Sequence, residues 1–213
     1  MAKYKNGITG SFSGKIGPVV GVTNRGVDYM RSLPEKITKP ASVAQQNGRA
    51  IFALVVGWLR PLQKLINVGY QVYTGTKTPM NGAVSYHIRE AVVQDETGFI
   101  IDFARAILSR GELLVSFIRS VALQMDSTLH ITWENGPLSA FCKASDLASF
   151  VIYNVNKKKF MTFKNVAARS DQAVTLKLPK GYVDDVLHGW MHYVNDKGDQ
   201  VSTSVYMGQL VVQ

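Results

Sequence analysis

Several residue groups have types and spacings that could do chemistry. Residues 10–17, GSFSGKIG, join glycines and hydroxyls to Lys15, directly after Gly14. A phosphate-binding loop needs G-x-x-x-x-G-K-[ST] between a strand and a helix, so that amides converge on phosphate and a hydroxyl meets magnesium. Here Thr9 stands at the first glycine position, Ile16 stands at the hydroxyl position, and Gly17-Pro18-Val19-Val20 continues as a strand pattern. Motif, metal ligand and context all fail, and the glycines are expected to give backbone freedom and close chain approach.

His188 and His192 are four residues apart, which on a helix would make a metal pair. Val186–Tyr193 reads as a strand, however, and there four residues span about 13 Å, too far for one zinc. His87, within the helix predicted over 78–92, is expected to be a boundary residue between core and surface rather than a catalyst, and His130, between Leu129 and Ile131, is expected to face out. Asp184-Asp185 reads as a turn. Asn195-Asp196-Lys197-Gly198-Asp199 lacks the twelve-residue calcium loop and its terminal Glu, and reads as a hairpin turn. Cys142 has no local base and is expected to act as a small hydrophobe. With no G-x-S-x-G or triad-like grouping, the chain is expected to be no enzyme. No metal, cofactor or small-molecule substrate is evident.

The elements that would position these residues change character along the chain. In residues 1–40, Gly7, Gly10, Gly14, Gly17, Gly21 and Gly26 make a helix costly, while Val19, Val20 and Val22 favour strand. With Thr23-Asn24-Arg25-Gly26 as a turn, a β-hairpin is predicted near 16–32. Ser42 and Gln45 form a capping-box pattern. Ala44, Gly48, Ile51, Val55, Trp58, Leu62 and Leu65 then follow a helical stripe. Pro61 predicts either a kink near 57–61 or a second helix beginning there. A further helix is predicted from Thr78, as cap, to about Val92.

After Gly98 the period shortens. Strands are predicted at 100–107, 113–123, 128–133, 149–155, 160–163, 173–178, 186–193 and 202–212, with turn residues between them. Two domains follow: residues 1–98, a basic glycine-rich hairpin arm with helices, and residues 99–213, a β-sandwich. The expected fold class is α+β, ending in an antiparallel immunoglobulin-like or fibronectin-III-like sandwich.

Composition bounds the rest. The 213 residues are 46% hydrophobic and 18% charged, a globular balance. A single cysteine excludes an intrachain disulfide. The start, MAKYKNGITG, has no apolar signal region, and the longest apolar run, Ala50–Leu59, is ten residues where a span needs about 18. A soluble chain, cytosolic when made and without a membrane span, is expected. The net charge is +9, of which +8 belongs to residues 1–65. Such a field suits a polyanion or an acidic partner surface. Lys15, Arg25, Arg31, Arg49, Arg60 and Lys64 are the candidate partner or polyanion contacts.

The run Gly7-x-x-Gly10-x-x-x-Gly14-Lys15-x-Gly17-x-Val19-Val20-Gly21 resembles the opening of an uncharacterised protein family common in Bacteroidota genomes. So do Tyr29-x-Arg31-Ser32-x-Pro34, Ala44-Gln45-x-x-x-Arg49-x-x-Phe52 and Ala148-x-Phe150-Val151-Ile152-Tyr153-Asn154. The resemblance covers essentially the whole chain and brings no catalytic residues. The Y-x-R-S-x-P and A-Q-x-x-x-R arrangement also looks like the start of some phage-associated proteins, which implies an assembled particle. The sequence thus leads to a non-enzymatic structural protein that self-associates through its basic N-terminal segment, as a homo-oligomer or larger assembly. Nucleic-acid binding by the same cations is the alternative.

Overall fold

The computed structural model describes residues 2–3, 13–35, 39–73, 75, 77–96, 98–124, 127–182 and 184–211. Most of the chain forms antiparallel β-sheets, with helices in the middle. It divides into two compact units, Met1–Gln46 and Asn47–Gln213. The boundary expected at 98/99 falls instead inside a tight hairpin, described below.

In the first unit, β1 (Ala2–Lys3), β2 (Gly14–Ile16), β3 (Val19–Asn24) and β4 (Val27–Ser32) form a sheet in the order β1-β4-β3-β2. The predicted hairpin is β3–β4, extended by a strand on each side. Arg25 (φ 53°) and Gly26 (φ 73°) occupy its two central turn positions, the pair of positive φ values that matches strand twist. Residues 10–12 of GSFSGKIG lie outside the described residues. Lys15 sits on a strand opposite Val20, so the phosphate-loop geometry does not form there.

The capping box forms as predicted: Gln45 N–H donates to Ser42 Oγ at 3.3 Å, and Ser42 N–H donates to Gln45 Oε1 at 3.1 Å. Helix α1 (Val43–Leu59) follows. Pro61 interrupts it with a 3-10 turn at Arg60–Leu62, after which α2 (Gln63–Gly69) continues. The helical run Val43–Gly69 has 27 residues and a mean hydropathy of 1.3 over its best 18-residue window. By length and composition alone it could cross a membrane, because Pro61 does not end the helical run. Its Val55, Trp58, Leu59, Leu62, Leu65 and Ile66 are buried in a protein core. Helix α3 (Pro79–Glu90) is capped by Thr78, whose Oγ1 accepts from Asn81 N–H at 3.0 Å.

Next comes a tight hairpin, β5 (Val92–Asp95) and β6 (Gly98–Ile101), where a helix end and a linker were expected. The strand predicted over 100–107 stops at Ile101. Asp102 Oδ1 accepts from Ala104 N–H at 3.0 Å, and the chain turns. Among the described residues seven further strands follow: β7 (Phe117–Gln124), β8 (Thr128–Glu134), β9 (Leu147–Asn154), β10 (Lys159–Ala168), β11 (Ala173–Lys177), β12 (Val186–Val194) and β13 (Val205–Val211). They form one sheet in the order β11-β8-β7 and another in the order β10-β9-β12-β13.

In the β10-β9-β12-β13 sheet, the central strands β9 and β12 are buried on both faces. Alternate residues Phe150, Ile152, Leu187 and Met191 share a core with Leu129, Ile131, Trp133 and Leu176 of the three-stranded sheet. The intervening Val151, Tyr153 and Trp190 share a second core with Trp58, Leu59, Leu65 and Ile66 of the helices. Double coverage explains why β9 and β12 are buried almost throughout, whereas β8 alternates.

Candidate functional site

All six candidate cations are exposed, and they are divided between the units. In the first unit, Lys15 faces Val20 across β2–β3, and Val20 faces Arg31 across β3–β4. Directly opposed residues project from the same face, so the two cations flank Val20 from positions roughly 10 Å apart, two strand spacings. Tyr29, two residues from Arg31, shares that face. Arg25 stands in the β3–β4 turn, away from this row. In the second unit, Arg49 lies on α1, Arg60 in the 3-10 turn and Lys64 on α2.

The remaining chemistry-bearing residues fall in the second unit. His188 and His192 do lie on a strand, β12, on either side of Trp190. His188 Nδ1 is 2.6 Å from Tyr206 Oη, and its ring lies 4.3 Å from that of Phe103. Burial lowers the His188 pKa and raises that of Tyr206, so the pair is neutral at pH 7. His192 is 4% exposed, and burial followed by the positive Lys164 lowers its pKa to about 4. His87 is fully buried and donates from Nδ1 to the Ala83 carbonyl at 2.8 Å, which corrects its expected boundary position. Cys142 is buried. Asp185 accepts from Asn154 Nδ2 at 2.7 Å and pairs with Lys157 at 2.6 Å, and these hydrogen bonds hold its carboxyl below the usual range. Asn195 and Asp199 tie their turn together, Asn195 Nδ2 donating to Asp199 Oδ1 at 2.6 Å.

Sequence reading missed a buried polar centre. Arg169 is fully buried. Its Nε donates to Asp146 Oδ2 at 3.1 Å, its Nη2 donates to the Leu114 carbonyl at 2.8 Å, and its guanidinium lies 3.7 Å from the Tyr193 ring centre. Tyr193 Oη donates to Ser116 Oγ at 2.8 Å, and burial pushes the phenol up to about 12. Every acceptor here is occupied by a neighbour within the fold except Asp146 Oδ1, so the centre organises strands and loops. An R-S-D triplet carries no periodic signal that would have revealed it.

Comparison with protein families places the chain. It belongs to a family of unknown function, DUF6266, whose model matches residues 11–208. Comparison with curated proteins found no match. Among solved structures, the chain is similar to the fn3 domain of human collagen alpha-1(XX) chain, at 10% identity and a TM-score of 0.34, over 49% of this chain and 85% of that one.

Proposed function

We propose that the protein is a non-enzymatic structural protein whose copies assemble through the N-terminal sheet. The observation that carries this reading is the apolar content of that sheet, which has no hydrophobic core within its own unit among the described residues. Among residues 13–35 and 39–46, only Gly21 is buried, and none joins a hydrophobic core cluster. Val19, Val20, Val22, Tyr29 and Met30 remain partly open, and Ile16 is 60% exposed. A sheet with apolar residues on it needs a covering layer, and a second copy of the chain supplies one. The second unit fits a structural module. Its strand orders, and a core drawing on both larger sheets, support an immunoglobulin-like or fibronectin-III-like sandwich, with helices over the second face of the larger sheet. A particle built by such contacts extends the same reading.

Removing residues 1–32 tests it. Both hydrophobic cores lie within residues 47–213, so the shortened chain keeps them. Light scattering after size exclusion should show an assembled full-length species and a monomeric truncated one. An unchanged mass after truncation would sink the proposal.

The row formed by Lys15, Val20 and Arg31, with Tyr29 on the same face, favours a second reading: nucleic-acid binding by cations and a stacking aromatic ring. Its affinity would fall steeply with salt. Binding that is flat across a salt titration, or absent, excludes it.

A further inference from the structure

A cavity of about 210 Å³ opens between α2 and the helix-facing side of the β10-β9-β12 sheet. Its polar lining carries two ammonium groups. Lys64 comes from α2, Lys164 and Asn165 come from β10, and His192 comes from β12. No acidic residue lines it, and neither lysine has an ion-pair partner among the described residues. The His192 ring is buried, yet its Nδ1 has no hydrogen-bond partner. A buried polar nitrogen left unpaired costs about 1–3 kcal/mol, so such groups usually meet a partner.

The backbone is also arranged around this cavity. The β9–β10 register shifts between Phe163 and Ala167, a bulge of the kind that re-aims side chains beside binding sites. Asn165 takes φ 51° within it, a conformation that asparagine tolerates. Ser149 Oγ accepts the Asn165 N–H at 2.9 Å and donates to Asn165 Oδ1 at 3.1 Å. That pairing occupies the amide oxygen, which leaves the Asn165 side chain its donor end. The rest of the wall is apolar: Leu65, Val194 and the 40%-exposed Val68.

We propose that this cleft binds a small aliphatic carboxylate, with its oxyanion held by Lys64, Lys164 and the Asn165 side-chain amide, His192 closing the floor beneath it, and its alkyl body against Leu65, Val68 and Val194. Two lysines without an ion-pair partner and an amide N–H select an oxyanion, and the apolar wall selects a carbon chain over a bare inorganic ion. The cleft is small, about 210 Å³, which suits an acid of a few carbons. This site is independent of the assembly surface, since it lies wholly within the second unit.

The test is a titration of the isotope-labelled full-length protein with butanoate, followed by amide chemical shifts, with butanamide and inorganic phosphate as parallel probes. Butanoate should give saturating shifts centred on Ser149, Asn165, His192 and Val194. Butanamide should give none, and phosphate should bind at least tenfold more weakly. The Lys64→Gln, Lys164→Gln double variant changes two exposed side chains, and its unchanged spectrum elsewhere reports an intact fold. It should weaken butanoate at least tenfold. Shifts that do not saturate, that butanamide reproduces, that phosphate matches, or that survive in the double variant would overturn the assignment.

Discussion

Arg169 and Asp146, 23 residues apart in the chain, meet at 3.1 Å with both side chains closed off from solvent. The pair joins the loop before β9 to the 3-10 turn after β10. The backbone carbonyl of Arg169 also accepts from Trp133 Nε1 at 3.2 Å and from Asn135 Nδ2 at 2.8 Å. Removing one partner leaves the other charge buried and alone, which costs about 3–5 kcal/mol. Asp146→Asn and Arg169→Met should each lower stability by that amount in urea unfolding. A loss below ~1 kcal/mol in both would show that the centre does not hold the fold.

Acid should weaken the protein in a defined window. The folded pKa of His192 is about 4, against 6.5 when unfolded, because burial disfavours the imidazolium. Between those values the unfolded chain binds more protons, so stability rises with pH. The contribution is complete above about pH 6.5 and is lost as pH falls toward 4, with an upper size of about 3 kcal/mol. His87 and His188 are shifted in the same direction, also by burial, and add to the slope. Urea midpoints at pH 7, 5.5 and 4.5 should fall steadily in the wild type and less steeply in His192→Asn.

Two tryptophans of one core should respond differently to the same change. Trp190 Nε1 donates to the Ala106 carbonyl at 3.0 Å, whereas the buried Trp58 Nε1 only approaches the Tyr153 hydroxyl and makes no hydrogen bond of good geometry among the described residues. Trp190→Phe leaves a buried carbonyl unsatisfied and should cost about 1–3 kcal/mol beyond the lost packing. Trp58→Phe removes an unpaired donor and should cost less. Trp58→Ala empties the space among Phe160, Tyr153, Phe103 and Trp190 and should cost about 3–5 kcal/mol. Equal losses for the two Phe variants would contradict this account.

Gly111 is required by contact. A Cβ there would collide with the Val201 carbonyl oxygen and come within 2.7 Å of its Cγ2. The adjoining Leu113 N–H donates to that same carbonyl at 3.1 Å, so the two segments cannot part without losing a hydrogen bond. Gly111→Ala should destabilise by about 1–3 kcal/mol. A melting temperature equal to wild type would refute the close approach.

The Lys15–Arg31 row has its own measurement. Should the N-terminal sheet bind duplex nucleic acid, Lys15→Ser with Arg31→Ser removes two phosphate contacts. The slope of log affinity against log salt should then become shallower by about 1.8. An unchanged slope would take these two residues out of any such interface.

Local chemistry was legible in the sequence wherever neighbours in the chain act on one another. Ser42 with Gln45, Thr78 before Pro79, and Arg25-Gly26 between β-branched runs each specify a cap or turn within a few residues, and each forms. Period-two alternation predicted β8 and β11 to within a residue, because one face of their sheet is buried and the other is not. The basic character of the N-terminal third is likewise a property of the chain itself. The tertiary structure alone decided which contacts close over long separations. It covered both faces of β9 and β12, which erased the alternation there and buried His188 and His192. It brought Lys64 and Lys164, a hundred positions apart, to one cleft, and it set Arg169 against Asp146. Burial and charge pairing depend on which elements pack together, and no spacing within a single element encodes that choice.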